Sequence, residues 1–305
     1  MTMAIAQPRK AAPRRLGWNS SPVAMLLLFP ALFVLAFIIL VPSIQLLWLS
    51  MTDYSPGLGG GDFVGLENYI WVLTDPAFQA ALWRNLFFVV VVVGLELAIG
   101  FGAALVLQQR FPLRPLWMAL VIAPYAVSPI VAVVMWKYML DPSFGLVNYM
   151  LTFVGLPAVK WLSSPGTSMA AIIIVAVWKE FSFTTIVLFA ALTTVPRELY
   201  EASRIDGATA WQNLWNVTLP LILPAFAIVA LFRIIFTLRE FGIPQTFTGG
   251  GPGTSTEILS LYLYKEAFRY SNFGTGAATG WIMLVVTVLL SAFLIRRTYR
   301  GMFAR

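Results

Sequence analysis

Lys179 and Glu180 stand together inside a long apolar run, Arg233 inside another, and Glu96 inside an earlier one. Such groups can form ion pairs, relay protons or bond the hydroxyls of a polar solute, and each is costly in an apolar medium unless paired or facing water. A second concentration of charge lies in Glu198-Leu199-Tyr200-Glu201-Ala202-Ser203-Arg204-Ile205-Asp206-Gly207-Ala208, which interrupts the apolar sequence and runs on to Leu219-Pro220-Leu221-Ile222-Leu223-Pro224. Other chemistries are closed. The chain has no cysteine and no histidine, which removes disulfides, thiol catalysis, cysteine-bound zinc, iron–sulfur clusters and the usual general base. No metal site is expected either, since no pair of acids at helical spacing sits inside an apolar run. A membrane-embedded enzyme would need a cluster of nucleophile, base or metal ligands that these residues do not supply.

The elements that must position these charges follow from composition. Hydrophobic residues make up 59% of 305 and charged ones 11%, with a mean hydropathy of +0.82, whereas ordinary soluble domains carry roughly 25% charge. This is the composition of an integral membrane protein, with the lipid bilayer as its main solvent. Windows of roughly 20 apolar residues, long enough to cross about 30 Å of hydrocarbon as helix, number about six: Met25 to Leu49, Leu82 to Leu107, Leu116 to Leu140, Met169 to Leu192, Leu221 to Phe241 and Ala277 to Ile295. The runs are continuous rather than alternating, so a β-barrel is excluded and the expected fold is all-α and polytopic. The first window is too long for a signal peptide and no small-residue cleavage site follows it, so it is expected to remain as an anchor.

Basic residues give the orientation. With the N-terminus inside, the inner segments hold Arg9, Lys10, Arg14, Arg15, Arg110, Arg114, Arg197, Arg204, Arg296, Arg297, Arg300 and Arg305, most of the 20 in the chain. Cytoplasmic loops carry this excess, so both termini and the acidic insert are expected in the cytoplasm. The same asymmetry accounts for the net charge of +7 without any nucleic-acid partner.

Within the insert, Thr194 and Pro196 suit a helix start, one as cap and the other in the first turn. Glu198 and Glu201 would then lie near a positive helix N-terminus. Asp206-Gly207 favours a turn, so one short helix is expected to end there and a second to begin around Ala208. Glu201 and Ile205 share a face, with the small Ala202 beside them. Trp211, Leu214 and Trp215 give the second helix an apolar side. On these grounds a docking site and a solvated interfacial connector are equally good readings.

The run Glu201-Ala202-Ser203, Asp206-Gly207-Ala208, Leu219-Pro220 and Pro224 resembles the EAA loop of bacterial ABC importer permeases, in particular carbohydrate importers of the maltose-transport type. Phe63-Val64-Gly65-Leu66-Glu67-Asn68-Tyr69, Trp83-Arg84-Asn85 and Thr248-Gly249-Gly250-Gly251-Pro252 with Thr256-Glu257 agree in order and spacing, from about Pro30 to Arg297. Two departures are small: Ser203 stands for the usual second alanine, and Leu214 where an aromatic is common. The resemblance implies that the loop, residues 194–220, forms a cytoplasmic coupling helix docked on an ABC ATPase. Glu201 would pair with an arginine there, Ala202 would permit close packing, Gly207 would set the turn, and Ser203, Ile205, Asp206, Ala208 and Leu214 would complete the surface, with Asp206 as a candidate cap of the second helix.

It also implies partners: a second homologous permease, two copies of the ATPase and an extracytoplasmic solute-binding protein, with Gly249, Gly250, Gly251 and Pro252 as a contact loop for the last. No cofactor is expected on this chain. ATP and Mg belong to the ATPase, since no GxxxxGK[ST] occurs and the glycine run has no lysine. The organisation expected is a cytoplasmic tail at 1–24, a permease domain at 25–295 and a cytoplasmic tail at 296–305, in the bacterial inner membrane.

For the solute pathway the intramembrane charges are the place to look. Glu180 lies about 16 Å from the outer end of its span and Arg233 roughly 15 Å from the end of its own, which predicts a Glu180–Arg233 contact near the midplane, with Glu96 slightly deeper. A purely structural lock between helices is the alternative. Trp178 and Phe181 flank Lys179-Glu180, and Tyr125 sits between Pro124 and Pro129, where prolines kink a helix. Sugars suit such a site, because aromatic rings meet their C–H faces while charged groups bond their hydroxyls. The expected cargo is a sugar or oligosaccharide; a polyol or glycerol phosphate fits the same family. An ion-coupled secondary transporter would need a carboxylate network and an inverted repeat, neither of which is seen.

Overall fold

The computed structural model describes residues 22–57 and 61–303, with side chains at 26–57 and 61–296. The N-terminal tail expected at 1–24, with Arg9, Lys10, Arg14 and Arg15, lies almost wholly outside the described residues, as do Arg305 and the side chains of Arg297 and Arg300. Residues 1–48 and 49–305 form two units. In the first, the described residues belong to α1 (Pro22–Ser50), which runs through Pro30 and Pro42. Phe29, Phe33 and Phe37 stack along it with ring centroids 5.9 and 6.5 Å apart, the contact that four-residue spacing produces on a helix.

The described residues of the second unit form helices joined by turns, with an isolated β bridge between Thr52 and Phe63. In order come α2 (Glu67–Thr74), α3 (Pro76–Gln108), α4 (Arg114–Ala126), α5 (Pro129–Met139), α6 (Leu146–Phe153), α7 (Pro165–Thr193) and α8 (Arg197–Ile205). Then follow α9 (Ala210–Leu238), α10 (Gly242–Phe247), α11 (Leu259–Tyr264) and α12 (Phe273–Phe303). Two of these are extended by π geometry, at Leu214–Thr218 inside α9 and at Lys265–Arg269 after α11.

Among the described residues, five helices are long and apolar enough to cross a membrane, and α4 with α5 makes a sixth if counted as one span. The expected continuous span from Leu116 to Leu140 is therefore corrected to a broken one: α4 and α5 meet at 103°. Pro129 has no N–H to continue the ladder and holds Ser128 in extended backbone (φ −56°, ψ 140°), as a residue before proline requires. Starts elsewhere are well made. Asp75 caps α3 by accepting from the Ala77 amide at 2.9 Å with Pro76 in the first turn, and Ser164 does the same for α7 ahead of Pro165.

The centre of the unit is the α3–α7 pair. Gly100 makes it possible: a Cβ there would lie 2.7 Å from Thr184 Cγ2, so the absent side chain sets the distance between the helices. Phe88, Val92, Ile172 and Val175 fill the interface. α9 lays Ile222 and Val229 against Ala104, Leu188 and Leu192, and α10 packs Ile243 and Phe247 into the first cluster beside Val133 of α5.

At one end of the bundle the Phe63–Tyr69 motif has a structural role. Asn68 Nδ2 donates to the carbonyls of Ser50 and Thr52 at 3.0 and 2.8 Å. Gly274, at the start of α12, passes so close that a Cβ would sit 2.0 Å from the Thr52 carbonyl oxygen.

Candidate functional site

Three helices deliver the buried charges to one place. Arg233 of α9 donates from Nε and Nη2 to the two oxygens of Glu96 on α3, at 2.7 and 2.9 Å, and from Nη1 to Glu180 of α7 at 2.9 Å. The other oxygen of Glu180 accepts from Lys179 Nζ at 2.8 Å. Glu96 is 0% exposed and Arg233 6%, a burial that such charges tolerate only in a bonded chain of this kind.

The Glu180–Arg233 contact is thus present, although its two residues sit at unequal distances from the ends of their helices. Glu180 lies fifteen residues after Pro165 and Arg233 only five before Leu238, because α9 stops early and the chain turns into α10. Glu96 joins the same cluster as the bidentate partner of Arg233.

Beside the cluster opens a cavity of about 770 Å³, lined by residues of α4, α7 and α9 and by the breaks between helices. Tyr125, Lys179, Glu180 and Arg233, singled out above for a solute pathway, are among the residues that line it. Lys179 Nζ lies 5.6 Å from the centre of the Tyr125 ring, within cation–π range, and Tyr125 stacks on Phe183 at 6.1 Å. Trp178 and Phe181 do not line it: Trp178 packs edge-on against Trp136 of α5, with centroids 5.7 Å apart. Flanking in sequence is the wrong criterion on a helix, where neighbours diverge by about 100°. Phe183, four residues after Lys179, and Phe236, three after Arg233, take the wall positions instead, and that spacing was the signal for both.

Arg239, Glu240 and Phe241 also line the cavity. They were assigned to the fifth span, but α9 ends before them. Glu240 Oε1 accepts from the Ile243 amide at 3.0 Å, and its backbone carbonyl accepts from Ser260 Oγ. Burial pushes the Glu240 carboxyl above the usual carboxylate range, against the opposing pull of the Ile243 amide.

The acidic insert forms α8, a turn and the start of α9. Pro196 occupies the N-cap of α8 with no side-chain bond; Thr194 does not cap it but closes α7, bonding the Ala191 carbonyl at 2.8 Å. Asp206 ends α8 rather than capping the next helix. That cap is Thr209, in a reciprocal box with Gln212 at 3.3 and 2.8 Å. Gly207 turns the chain with φ +79°, a conformation that favours glycine.

The second helix is no separate short element but the first turns of α9, beginning at Ala210 rather than Ala208. Glu201, Ala202 and Ile205 are exposed, Ile205 by 87%, while Ala208 and Leu214 are half-buried. Ser203 turns the other way and donates to Asn213 Oδ1, a tie that an alanine could not make. Tyr200 and Thr218 add a second at 3.0 Å. Trp211 and Trp215 are exposed, edge to face at 5.6 Å.

The glycine loop is only partly a surface. Gly249 is exposed, but Gly250 is buried with φ +95°, and a Cβ there would lie 3.0 Å from Lys265 Nζ. Its carbonyl accepts from the Thr256 amide at 3.1 Å. Gly251 and Pro252 are half-buried. Arg84 clamps the loop from α3 through the Glu257 carbonyl and Thr254 Oγ1, at 3.2 and 3.1 Å, and Lys265 pairs with Glu257.

Comparison with known proteins adds a family. The model of the family described as "Binding-protein-dependent transport system inner membrane component" matches residues 96–302. The sulfoquinovosyl glycerol transport system permease protein SmoG of Agrobacterium fabrum is 33% identical over 292 residues, 94% of each chain. The trehalose/maltose transport system permease protein MalF of Thermococcus litoralis is 34% identical over 291 residues, 95% of this chain and 97% of that one. Among solved structures, a chain of a bacterial alginate ABC transporter in complex with a periplasmic protein holding an alginate pentasaccharide matches with TM-score 0.76 and 25% identity, over 91% of this chain and 96% of that chain.

Proposed function

This chain belongs to the binding-protein-dependent transport system inner membrane components, and from that premise we propose that it is the membrane-spanning permease of an ATP-driven importer for a sugar or oligosaccharide. One observation carries the reading: a single helix, α9, starts in the loop 194–220 and ends with Arg233 and Thr237 in the cavity wall. The loop receives the stroke of a partner and the cavity passes the solute.

In this reading 25–295 is the permease domain, the tails 1–24 and 296–305 and the loop 194–220 are cytoplasmic, and two copies of an ABC ATPase bind and hydrolyse ATP with Mg. The face of α8 that carries Glu201, Ala202 and Ile205 enters the ATPase, with Glu201 offered to an arginine there. Ser203 serves from behind by tying α8 to α9, and Gly207 holds the angle between them. Asp206, Ala208 and Leu214 support this face rather than make it.

A second, homologous permease completes the pathway, and an external binding protein meets the loop around the exposed Gly249, with Gly251 and Pro252 at its margin. Closure of the ATPase pair would move the helices as rigid bodies and switch the cavity from one side of the membrane to the other. Tyr125, Lys179, Glu180 and Arg233 then face the solute; Trp178 and Phe181 stay in helix packing.

The test is Glu201→Lys. Reversing the charge is expected to abolish uptake and to prevent the ATPase from co-purifying with the permease, while the helical far-UV spectrum is unchanged. Wild-type uptake with normal ATPase assembly would overturn the coupling assignment.

A further inference from the structure

We infer that Tyr200 is the positioning residue through which movement of α8 is passed to α9, by way of its hydroxyl on Thr218. The inference rests on the reading that α8 docks on the ATPase, and it adds the path by which a movement there enters the bundle.

α8 meets the rest of the chain along one narrow line. Of its nine residues only Tyr200 and Ser203 are half-buried, and the rest are exposed. Three apart, these two share a face, opposite the one that carries Glu201, Ala202 and Ile205.

Tyr200 makes two attachments at once. Its aromatic ring packs against the apolar cluster built from Ala104 of α3, Leu188 and Leu192 of α7, and Ile222 and Val229 of α9. Its hydroxyl lies 3.0 Å from Thr218 Oγ1. The Thr218 hydroxyl donates its hydrogen to the Asn213 carbonyl at 3.3 Å, so toward Tyr200 it is the acceptor. Asn213 in turn accepts from Ser203 at Oδ1. Tyr200, Thr218, Asn213 and Ser203 thus close a bonded circuit between the two helices. Thr218 is 4% exposed, where a hydroxyl that loses its partner is costly.

The circuit falls on the π turn of α9. There the Leu219 amide donates to the Leu214 carbonyl five residues back. Pro220, just beyond, has no N–H and in α geometry would crowd the carbonyl four residues before it, which accounts for the wider turn. Asn213 precedes this turn and Thr218 ends it, so the two ties from α8 span it as a splint. The covalent link offers no such brace. At Gly207 the chain stands open, with nothing within 4 Å of where a Cβ would lie, and the link on the other side of α8, Thr194 to Pro196, leads to α7. A push on α8 therefore reaches α9 through side chains rather than through the backbone.

The experiment uses inside-out vesicles from cells that produce the complete importer. A single cysteine replaces Ser128, an exposed residue of the cavity wall, in this otherwise cysteine-free chain. The rate at which a small membrane-impermeant methanethiosulfonate modifies the chain is measured with and without Mg·AMP-PNP. In the parent Ser128→Cys the nucleotide is expected to change that rate about tenfold. With Tyr200→Phe or Thr218→Val added, the change is expected to fall below about twofold, although the ATPase still co-purifies. Thr218→Ser, which keeps the hydroxyl, is expected to match the parent. A parental response in Tyr200→Phe, or failure of Thr218→Ser, overturns the inference; loss of the ATPase from Tyr200→Phe does so too, because the residue then belongs to docking and not to transmission. If the parent itself does not respond to nucleotide, the coupling reading falls, and the inference with it.

Discussion

Arg233 serves two carboxylates at once, and this changes what a charge-swap experiment means. Exchanging Glu180 and Arg233 would place a glutamate against Glu96, so Glu180→Arg with Arg233→Glu is expected to stay below about a tenth of wild-type uptake although the pair is real. Arg233→Ala strands a fully buried Glu96 and is expected to cost about 3–5 kcal/mol, read as a lower melting temperature of the purified protein; Glu180→Gln, at the partly exposed end, is expected to cost less.

Glu266 makes a different prediction. It is buried beside Asn272, whose Nδ2 donates to it at 3.2 Å. Burial pushes its carboxyl up, the Asn272 bond pulls it down, and the charges of Asp75 and Glu257 push it up again. A raised folded value means the folded protein holds the proton more tightly, so this stabilisation is complete below the ordinary carboxylate value of about 4.3 and is lost as the pH rises through the raised one. Glu266→Gln is expected to melt above the wild type at about pH 7.5, with the gap closing near pH 4.5. The buried charges were legible in the sequence because a charge in an apolar run must find a partner. That Glu96 is the bidentate partner of Arg233 was not, because this depends on how α3 packs against α9.

Among the elements, the α3–α7 pair is held at the distance that Gly100 allows. Gly100→Ala is expected to cost about 1–3 kcal/mol through the clash with Thr184, measured by thermal unfolding, and to lower uptake as well, because α3 carries Glu96 and α7 carries Glu180. Hydropathy alone places the long helices to within a few residues at most ends. It cannot separate one span from two helices meeting at 103°, since α4 and α5 are apolar on both sides of the break; Pro124 and Pro129 marked a kink but not its size. The reciprocal cap of Thr209 and Gln212 was legible as local spacing and was missed in favour of Asp206, whose neighbouring glycine was the stronger turn signal.

For the whole molecule, the absence of cysteine makes orientation directly measurable. Single replacements Glu201→Cys and Gly249→Cys are expected to react with a membrane-impermeant maleimide from opposite sides, the first in inside-out vesicles and the second in intact spheroplasts. Labelling of both from one side would refute the proposed topology. The order of motifs along the chain made the family legible from sequence, but the cavity was not, because its wall is assembled from helix ends and breaks that share no sequence pattern.

One consequence follows from the continuity of α9. Trp211 and Arg233 stand on the same rod, about 33 Å apart along its axis at 1.5 Å per residue. Pivoting such a rod by about 5° at one end carries the other through roughly 3 Å, the full length of a hydrogen bond. On the coupling reading, a tilt of this size imposed at the tryptophans would move Arg233 by about the length of the bonds that hold it to its carboxylates.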